Sequence, residues 1–154
     1  MRKINIALVG LGQIGNYLLH ELNSKKKDIE LKTGKQINIV AISAKNINKK
    51  RKYKINKKLF YKNPLDIFKF KKIDVLFESI GLSGGISKKV VEKAIRNKVH
   101  VITPNKALIA KHGDYLSKLA EKHKVNLEFE ASVAGGIPIL RTITEGLATN
   151  KIFK

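Results

Sequence analysis

Apolar segments alternate with helix-like segments along most of the chain, and this order constrains the fold more than any other feature. The segment "INIALVG" at 4–10 is an almost unbroken apolar run, as expected for a strand covered on both faces. A helix-like segment follows, and its apolar residues fall on one face: Ile14, Leu18, Leu19 and Leu22. Such alternation is typical of repeated βαβ units around a parallel sheet. We therefore expect a doubly wound α/β domain.

Four further strands are predicted downstream, at 37–43, 73–78, 99–103 and 125–130. Amphipathic helices are predicted at 87–98 and 106–124, and Pro138 suits the first turn of a last helix that runs to Leu147. The first of these helices should bury Val90, Val91, Ala94 and Ile95, and the second Leu108, Ile109, Leu116, Leu119 and Ala120. The lysine-rich segment between the second and third strands predicts a loop with one short helix at 64–70.

Length and composition limit the class of protein. A chain of 154 residues is long enough for one compact domain with a core and short for two. It has no apolar run of about eighteen residues, and "MRK" leads into a short apolar run and a glycine-rich turn rather than a cleavage site. These features predict a soluble, cytoplasmic protein that does not enter a membrane. Because cysteine is absent, disulfides, thiolate metal sites and thiol nucleophiles are excluded.

The formal net charge of +20 raises the question of nucleic-acid binding. Lysine supplies 28 of the 32 basic residues, spread along the chain among many Asn and Ile. The densest stretch, 45–72, holds twelve basic residues against one acid, Asp66, but only one arginine that could read bases. This pattern favours lysines on solvated faces, and it argues against nucleic acid as a partner.

The segment "VGLGQIG" places Gly10, Gly12 and Gly15 in a G-x-G-x-x-G pattern directly between the first strand and the first helix. In a dinucleotide site the first glycine makes the tight turn, the second admits the pyrophosphate and the third allows close helix-strand contact. The helix N-terminus then offers N–H groups to the phosphates. We predict a Rossmann-like dinucleotide-binding domain. The alternative is a tight turn that binds nothing.

The end of the second strand should show which cofactor is bound. An acid there would hold the ribose 2'-hydroxyl of NAD, but the sequence reads "ISAKN" and presents Ser43 and Lys45. A hydroxyl and an ammonium suit a 2'-phosphate better, which favours NADP over NAD. Lys45 could equally be a surface lysine in so lysine-rich a chain.

Two other strand ends should meet the same edge of the sheet. After the third strand, the small residues of "ESIGLSGG" permit close approach of a nicotinamide ribose, and we select Ser79 and Gly81. After the fourth strand, "TPNKA" brings Thr103 and Lys106 to the rim, whereas Asn105 could simply cap the next helix.

Glu78, at a strand end, is expected to satisfy N–H groups of the following turn. The histidines show no metal or catalytic spacing, and His20 and His112 are predicted to be exposed.

The stretch "EASVAGGIPI" at 130–139 concentrates a carboxylate, two adjacent glycines and a proline. The residues alone indicate a carboxylate beside a flexible turn, with an anion site at a helix N-terminus as the rival interpretation. We expect residues 1–135 to form the nucleotide-binding domain and 136–154 to begin a hinge and catalytic region that is cut short.

The motifs "VGLGQIG", "ESIG", "VITPNKALIAKHG" and "FEASVAGGIPILRTITEGLATNKI" resemble, in order and spacing, the N-terminal half of homoserine dehydrogenase. Family members use NAD(P)H to reduce aspartate 4-semialdehyde to homoserine, on the route to threonine, methionine and isoleucine. The resemblance implies nucleotide contacts across the loop of Gly10, Leu11, Gly12, Gln13, Ile14 and Gly15 and at Thr103. It places Lys106 near the nicotinamide and substrate, as a catalytic residue. It also implies a sodium ion held by Glu130 and the carbonyls of Val133, Gly135 and Ile137.

The resemblance further implies that the substrate-holding acids and the proton donor belong to a substrate domain beyond this sequence. We therefore expect a cofactor-binding half that needs a complementing C-terminal fragment, and homodimer formation is a further possibility. The alternative is a non-catalytic nucleotide-binding module or remnant whose basic surface meets RNA or an acidic partner.

Overall fold

The chain folds around one parallel sheet with helices on both sides. The computed structural model describes residues 2–70 and 72–133, together with 137, 139, 142 and 145. Within these residues the strands are β1 (Arg2–Val9), β2 (Lys35–Ser43), β3 (Phe60–Tyr61), β4 (Val75–Glu78), β5 (His100–Ile102) and β6 (Leu127–Glu128). The helices are α1 (Gln13–Ser24), α2 (Lys26–Thr33), α3 (Ile67–Phe70), α4 (Ile86–Arg96) and α5 (Lys106–His123). One-turn 3-10 helices lie at Lys57–Leu59, Pro64–Asp66 and Glu130–Ser132.

The strand order is β3-β2-β1-β4-β5-β6, and every neighbouring pair is parallel. The chain builds outward from β1 in one direction, returns, and builds outward from β4 in the other. This confirms the predicted doubly wound α/β fold. Because all strands are parallel, their carboxyl ends meet at one edge, and the ends of β1 and β4 flank the switch point where ligands of such sheets bind.

Both faces of the central strands are buried, as the apolar run of β1 predicts. Ala7 and Val9 belong to the core cluster under α4 and α5, whereas Leu8, between them, belongs to the cluster under α1. The same alternation places Leu76 and Phe77 of β4 on opposite faces. Side chains alternate between the two faces along each strand, so the sheet separates two apolar layers.

The helices largely follow their predicted positions and buried faces. The apolar residues selected in α4 are fully buried, and in α5 only Ile109 departs from burial, being half-buried. Ile14 contradicts the prediction for α1, since 59% of it is exposed. It lies in the first turn of α1, just past the carboxyl end of β1. The predicted last helix falls almost entirely outside the described residues, as does most of the proposed hinge region.

The lysine-rich segment holds more structure than its sequence predicts. The short helix predicted at 64–70 is present as a 3-10 turn followed by α3, but β3 and the turn at Lys57–Leu59 were not foreseen. Helix α2 also escaped prediction, because it has no buried residue and so no apolar stripe to reveal it. No helix in the described part of the chain is long and apolar enough to cross a membrane.

Candidate functional site

The glycine-rich turn between β1 and α1 is closed on the protein side and open on the other. Gly10 has a φ of +91°, and a Cβ there would lie 2.4 Å from the carbonyl carbon of Ser79. A Cβ on Gly15 would lie 1.9 Å from the carbonyl oxygen of Gly10. Gly12 differs, since apart from its chain neighbours no atom of the described residues lies within 4 Å of its Cβ position. Packing therefore requires two of the glycines, and the third leaves room for a ligand.

Hydrogen bonds fasten this turn to both neighbouring strands. The N–H of Gly10 donates to the carbonyl of Ser43, at the end of β2, at 2.9 Å. The N–H of Ser79, just past β4, donates to the carbonyl of Val9 at 2.8 Å. The Ser79 hydroxyl donates to the carbonyl of Gly10 at 2.7 Å. Three strand ends are thus held together at the base of the site.

A cleft of about 900 Å³ opens above the turn. It brings together half of the predicted cofactor residues: Gly10, Leu11, Gly12, Ser43, Lys45 and Ser79. Four cations line it, Lys45, Lys49, Arg51 and Lys62, and its lining among the described residues holds no carboxylate. A cleft with fixed positive charge and no acid favours an anionic ligand.

The start of α1 supports the same conclusion. Its N-cap is Gly12, which has no side chain to satisfy the first N–H groups of the helix, and its first turn contains no acidic residue. These N–H groups and the positive end of the helix dipole remain available to phosphates. Leu11 contributes its backbone to this region, while its side chain is buried in the core under α1. The residues present therefore fit a dinucleotide pyrophosphate.

The other predicted cofactor residues do not line the cleft that the described residues form. Gln13 and Ile14 occupy the first turn of α1, and Gly15 is buried beneath the turn. Gly81 is exposed with a φ of +85° and open space around it, in the loop after β4. Their assignment to the cofactor stays a prediction.

Behind the cleft, a fully buried carboxylate joins β4 to the loop after β5. Glu78 accepts hydrogen bonds from the N–H of Ile80 at 2.8 Å, the Thr103 hydroxyl at 2.6 Å and the Asn105 amide at 3.3 Å. The bond from Ile80 is the turn N–H that the sequence led us to expect. The Thr103 side chain is itself fully buried and also accepts from the N–H of Asn105 at 3.1 Å. Its hydroxyl is therefore engaged within the protein.

Asn105 caps α5, as the alternative interpretation of "TPNKA" held. Its side-chain oxygen accepts from the N–H of Leu108 at 3.2 Å, and its amide also donates to the carbonyl of Leu82 at 3.0 Å. Lys106 is the first residue of α5 and is exposed. It lies outside the cleft lining, so its catalytic assignment stays a prediction.

Two side chains with a structural role at the site were missed. Asn16, buried in α1, donates to the carbonyl of Tyr53 and accepts from its N–H, both at 3.0 Å.

The ring of Tyr53 stacks on His20 with centroids 3.9 Å apart, so His20 is partly covered and the prediction of exposure was wrong. His112 is likewise half-buried, since it lies beside Gly84.

The second missed residue is Arg51, which lines the cleft and binds backbone carbonyls of its own loop and of Leu11. Its residue type could have indicated it in the sequence, because it is the one arginine in the lysine-rich run at 45–72. Asn16 could have been noticed as a poor helix former placed one residue after the glycine motif.

The predicted sodium ligands are described only in part. Glu130 and Val133 lie at the two ends of one 3-10 turn, and the N–H of Val133 donates to the carbonyl of Glu130 at 3.0 Å. The carbonyl of Ile137 accepts from the N–H of Ile139 at 2.8 Å. Gly135 lies outside the described residues. Within the described residues, no group of three or more histidine or acidic side chains could hold a metal. The predicted sodium site is of a different kind, since three of its four ligands are backbone carbonyls.

The fold and the site together define a nicotinamide-dinucleotide-binding domain of the Rossmann type. Residues 10–130 match the family model described as "Homoserine dehydrogenase, NAD binding domain". The chain belongs to the homoserine dehydrogenase family.

Individual relatives agree with this family. The chain is 40% identical to the homoserine dehydrogenase of Neisseria gonorrhoeae over 152 residues, which cover 99% of this chain and 34% of that enzyme. It is 35% identical to the Bacillus subtilis enzyme over 156 residues, covering 100% of this chain and 35% of that enzyme. The crystal structure of homoserine dehydrogenase from Thiobacillus denitrificans superposes with a TM-score of 0.83 at 34% identity, over 99% of this chain and 35% of that one. The chain thus spans about a third of the length of the relatives it matches.

Proposed function

We propose that the chain binds NADP, or NAD with lower affinity, and is the cofactor-holding part of a homoserine dehydrogenase, which interconverts aspartate 4-semialdehyde and homoserine. One observation carries this proposal. Among the described residues, Gly12 is the one motif glycine with open space at its Cβ position, and it lines a cation-lined cleft at the switch point of the sheet. The family match supports the reaction.

In this proposal the cofactor supplies the hydride, and the protein orients it and stabilises charge. The turn from Gly10 to Gly15 holds the pyrophosphate, while Ser79 and Gly81 accommodate the nicotinamide ribose. Thr103, which is fully buried, is assigned a supporting role behind the rim through its hydrogen bond to Glu78. Lys106, exposed at the start of α5, is assigned to the reacting end as a positive charge for the substrate.

The preference for NADP is supported by the wall of the cleft beyond β2. Ser43 and Lys45 both line it, together with Lys49 and Lys62. No carboxylate in the described lining competes for a ribose 2'-hydroxyl. A 2'-phosphate carries up to about two negative charges and gains most from this wall.

A sodium ion held by Glu130, Val133, Gly135 and Ile137 is part of the proposal. Carboxylate and carbonyl oxygens are hard ligands suited to such a cation. Two of the ligands share one turn, which supports a compact site.

We further propose that turnover needs the region of the relatives that lies beyond the part matched here. That region would supply the substrate contacts, either from a complementing polypeptide or within a homodimer. Purified chain that oxidises homoserine unaided at the rate of a full-length relative would contradict this part of the proposal.

Titration of the purified chain with NADPH and with NADH, followed by cofactor fluorescence, tests the binding function. We expect saturable binding by the wild type. Gly12→Asp should abolish it, because the new carboxylate would stand where the pyrophosphate approaches. The variant should keep its melting temperature, since the position has open space and a φ of −71°. Absence of binding by the folded wild type would refute the function.

A further inference from the structure

Arg51 makes four hydrogen bonds, one to the glycine-rich turn and three within its own basic loop, residues 44–56. Its Nε donates to the carbonyl oxygen of Leu11 at 3.2 Å. Its Nη2 donates to the carbonyl of Asn46 at 2.7 Å, and its Nη1 to those of Ile47 and Lys49 at 3.2 and 3.0 Å. One side chain therefore folds its own loop and fastens that loop to the turn.

The loop depends on side-chain contacts because it has no regular secondary structure, and the paired hydrogen bonds between Asn16 and Tyr53 hold only its later part. Residues 44–56, all described, form neither helix nor strand. Fixing each residue of an irregular segment costs conformational entropy, which contacts must offset. The same loop carries Lys45 and Lys49, two of the cations on the cleft wall. Where these ammonium groups stand thus depends on contacts that hold the backbone of the loop.

Lysine could not replace Arg51 in this role. The guanidinium presents five N–H donors on three nitrogens in a rigid plane, which lets it reach carbonyls on two separate segments. An ammonium offers three donors on one nitrogen at the end of a flexible stem. The charge would be kept, but the bond to Leu11 and the bonds within the loop could not be made together.

We propose that Arg51 is a positioning residue for cofactor selectivity. Its hydrogen bonds to Leu11 and to its own loop, here called the clamp, hold Lys45 and Lys49 at the cleft wall where the 2'-phosphate of NADP would lie. The inference rests on the proposed binding of NADP. It goes beyond that function because part of the selectivity is assigned to Arg51, which binds backbone carbonyls, and not only to the lysines of the cleft wall.

Arg51→Lys tests the clamp at constant net charge. Dissociation constants for NADPH and NADH are measured at one ionic strength, below the melting temperature of each variant. We expect the ratio of the NADH constant to the NADPH constant to fall about tenfold, roughly the loss of one charge-assisted contact. In the cofactor-free protein, hydrogen exchange of the loop amides at 46–53 should become faster.

Lys50→Met is the matched control. Lys50 adjoins Arg51, but it lines a neighbouring cavity together with Tyr17 and Tyr53 and does not line the cleft. Its replacement removes a charge and leaves the clamp intact, so the ratio should stay within about twofold.

The outcomes separate the two proposals. Wild type that binds neither cofactor, or prefers NADH, refutes the proposed NADP function and the clamp with it. Wild type that prefers NADPH, with an unchanged ratio in Arg51→Lys, refutes the clamp alone. Equal weakening of the binding of both cofactors in Arg51→Lys also overturns it, because the effect would then not concern selectivity. An equal fall of the ratio in Lys50→Met overturns it too, because the ratio would then respond to any change in the loop rather than to the clamp.

Discussion

The hydroxyl of Thr103 donates a hydrogen bond of 2.6 Å to the carboxylate of Glu78, and both side chains are fully buried. The bond joins the ends of β5 and β4 directly behind the cofactor cleft. Asn105 adds a second link and caps α5, the helix that begins with Lys106. One buried carboxylate therefore sets the geometry of two strand ends and of the helix that carries the proposed catalytic lysine.

Glu78→Gln should destabilise the protein by about 1–3 kcal/mol, because the amide turns one acceptor oxygen into a donor that faces the donor groups of Thr103 and Asn105. Urea unfolding followed by circular dichroism measures the change in free energy of unfolding. Glu121→Gln, an exposed position on α5, serves as the control and should shift it by less than about 0.5 kcal/mol. Equal stabilities for the Glu78 variant and the wild type would show that the network is unimportant.

The two ends of the glycine motif should respond differently to an added methyl group. Gly15→Ala should lower the melting temperature strongly, since its Cβ would lie 1.9 Å from the carbonyl oxygen of Gly10. Gly12→Ala should leave the melting temperature nearly unchanged and weaken NADPH binding, because its Cβ would enter only the space proposed for the pyrophosphate. Thermal melts and cofactor titration of both variants check this, and identical behaviour in both assays would contradict it.

Lys45→Met should raise the dissociation constant for NADPH by about fivefold to tenfold and leave that for NADH within about twofold. The reason is that only NADPH carries the 2'-phosphate that is proposed to lie against the wall where Lys45 stands. Lys32→Met, in the last turn of α2, removes the same charge away from the cleft and is the control. Equal constants for the two cofactors in the wild type would rule out the preference.

Glu130→Gln tests the proposed sodium site. Wild-type chain should melt at a higher temperature in sodium chloride than in choline chloride of equal ionic strength, because a ligand that binds the native state stabilises it. The variant should lose this difference, whereas Glu128→Gln, exposed on β6, should keep it. A wild-type melting temperature that is the same in both salts would count against sodium binding.

The ion pair between Lys25 Nζ and Glu21 Oε2, 2.6 Å apart, joins an exposed lysine to a half-buried glutamate and predicts a small pH effect on stability. The hydrogen bond from Lys25 holds the pKa of Glu21 below its ordinary value of 4.5. The pair therefore stabilises the native state above pH 4.5, and this contribution disappears as the pH falls through the lowered pKa. Melting temperatures of Glu21→Gln and wild type should differ slightly at neutral pH and at low salt, and converge in acid. A difference that grows in acid would contradict this assignment.

The sequence predicted the cleft better than its surroundings. Gly10, Gly12 and Ser79 could be placed because strand ends of a parallel sheet must meet at one edge, so that local patterns imply a shared location. Ile14 could not, since helical periodicity gives the apolar face of α1 but not the point where the sheet stops covering it. Arg51 and Asn16 were missed because each binds a backbone group of a distant segment, 40 residues away for Arg51 and 37 for Asn16.

By itself the sequence determined the parallel sheet, the alternation of its main strands and helices and the glycine-rich turn, because these depend on side-chain periodicity and on backbone angles that only glycine adopts easily. Only the tertiary structure decided what surrounds the turn. It brought Arg51 to the carbonyl of Leu11, Asn16 to Tyr53, and Thr103 and Asn105 to Glu78. Such contacts follow from satisfying buried polar groups between segments far apart in the chain, and no local pattern encodes which segments will meet.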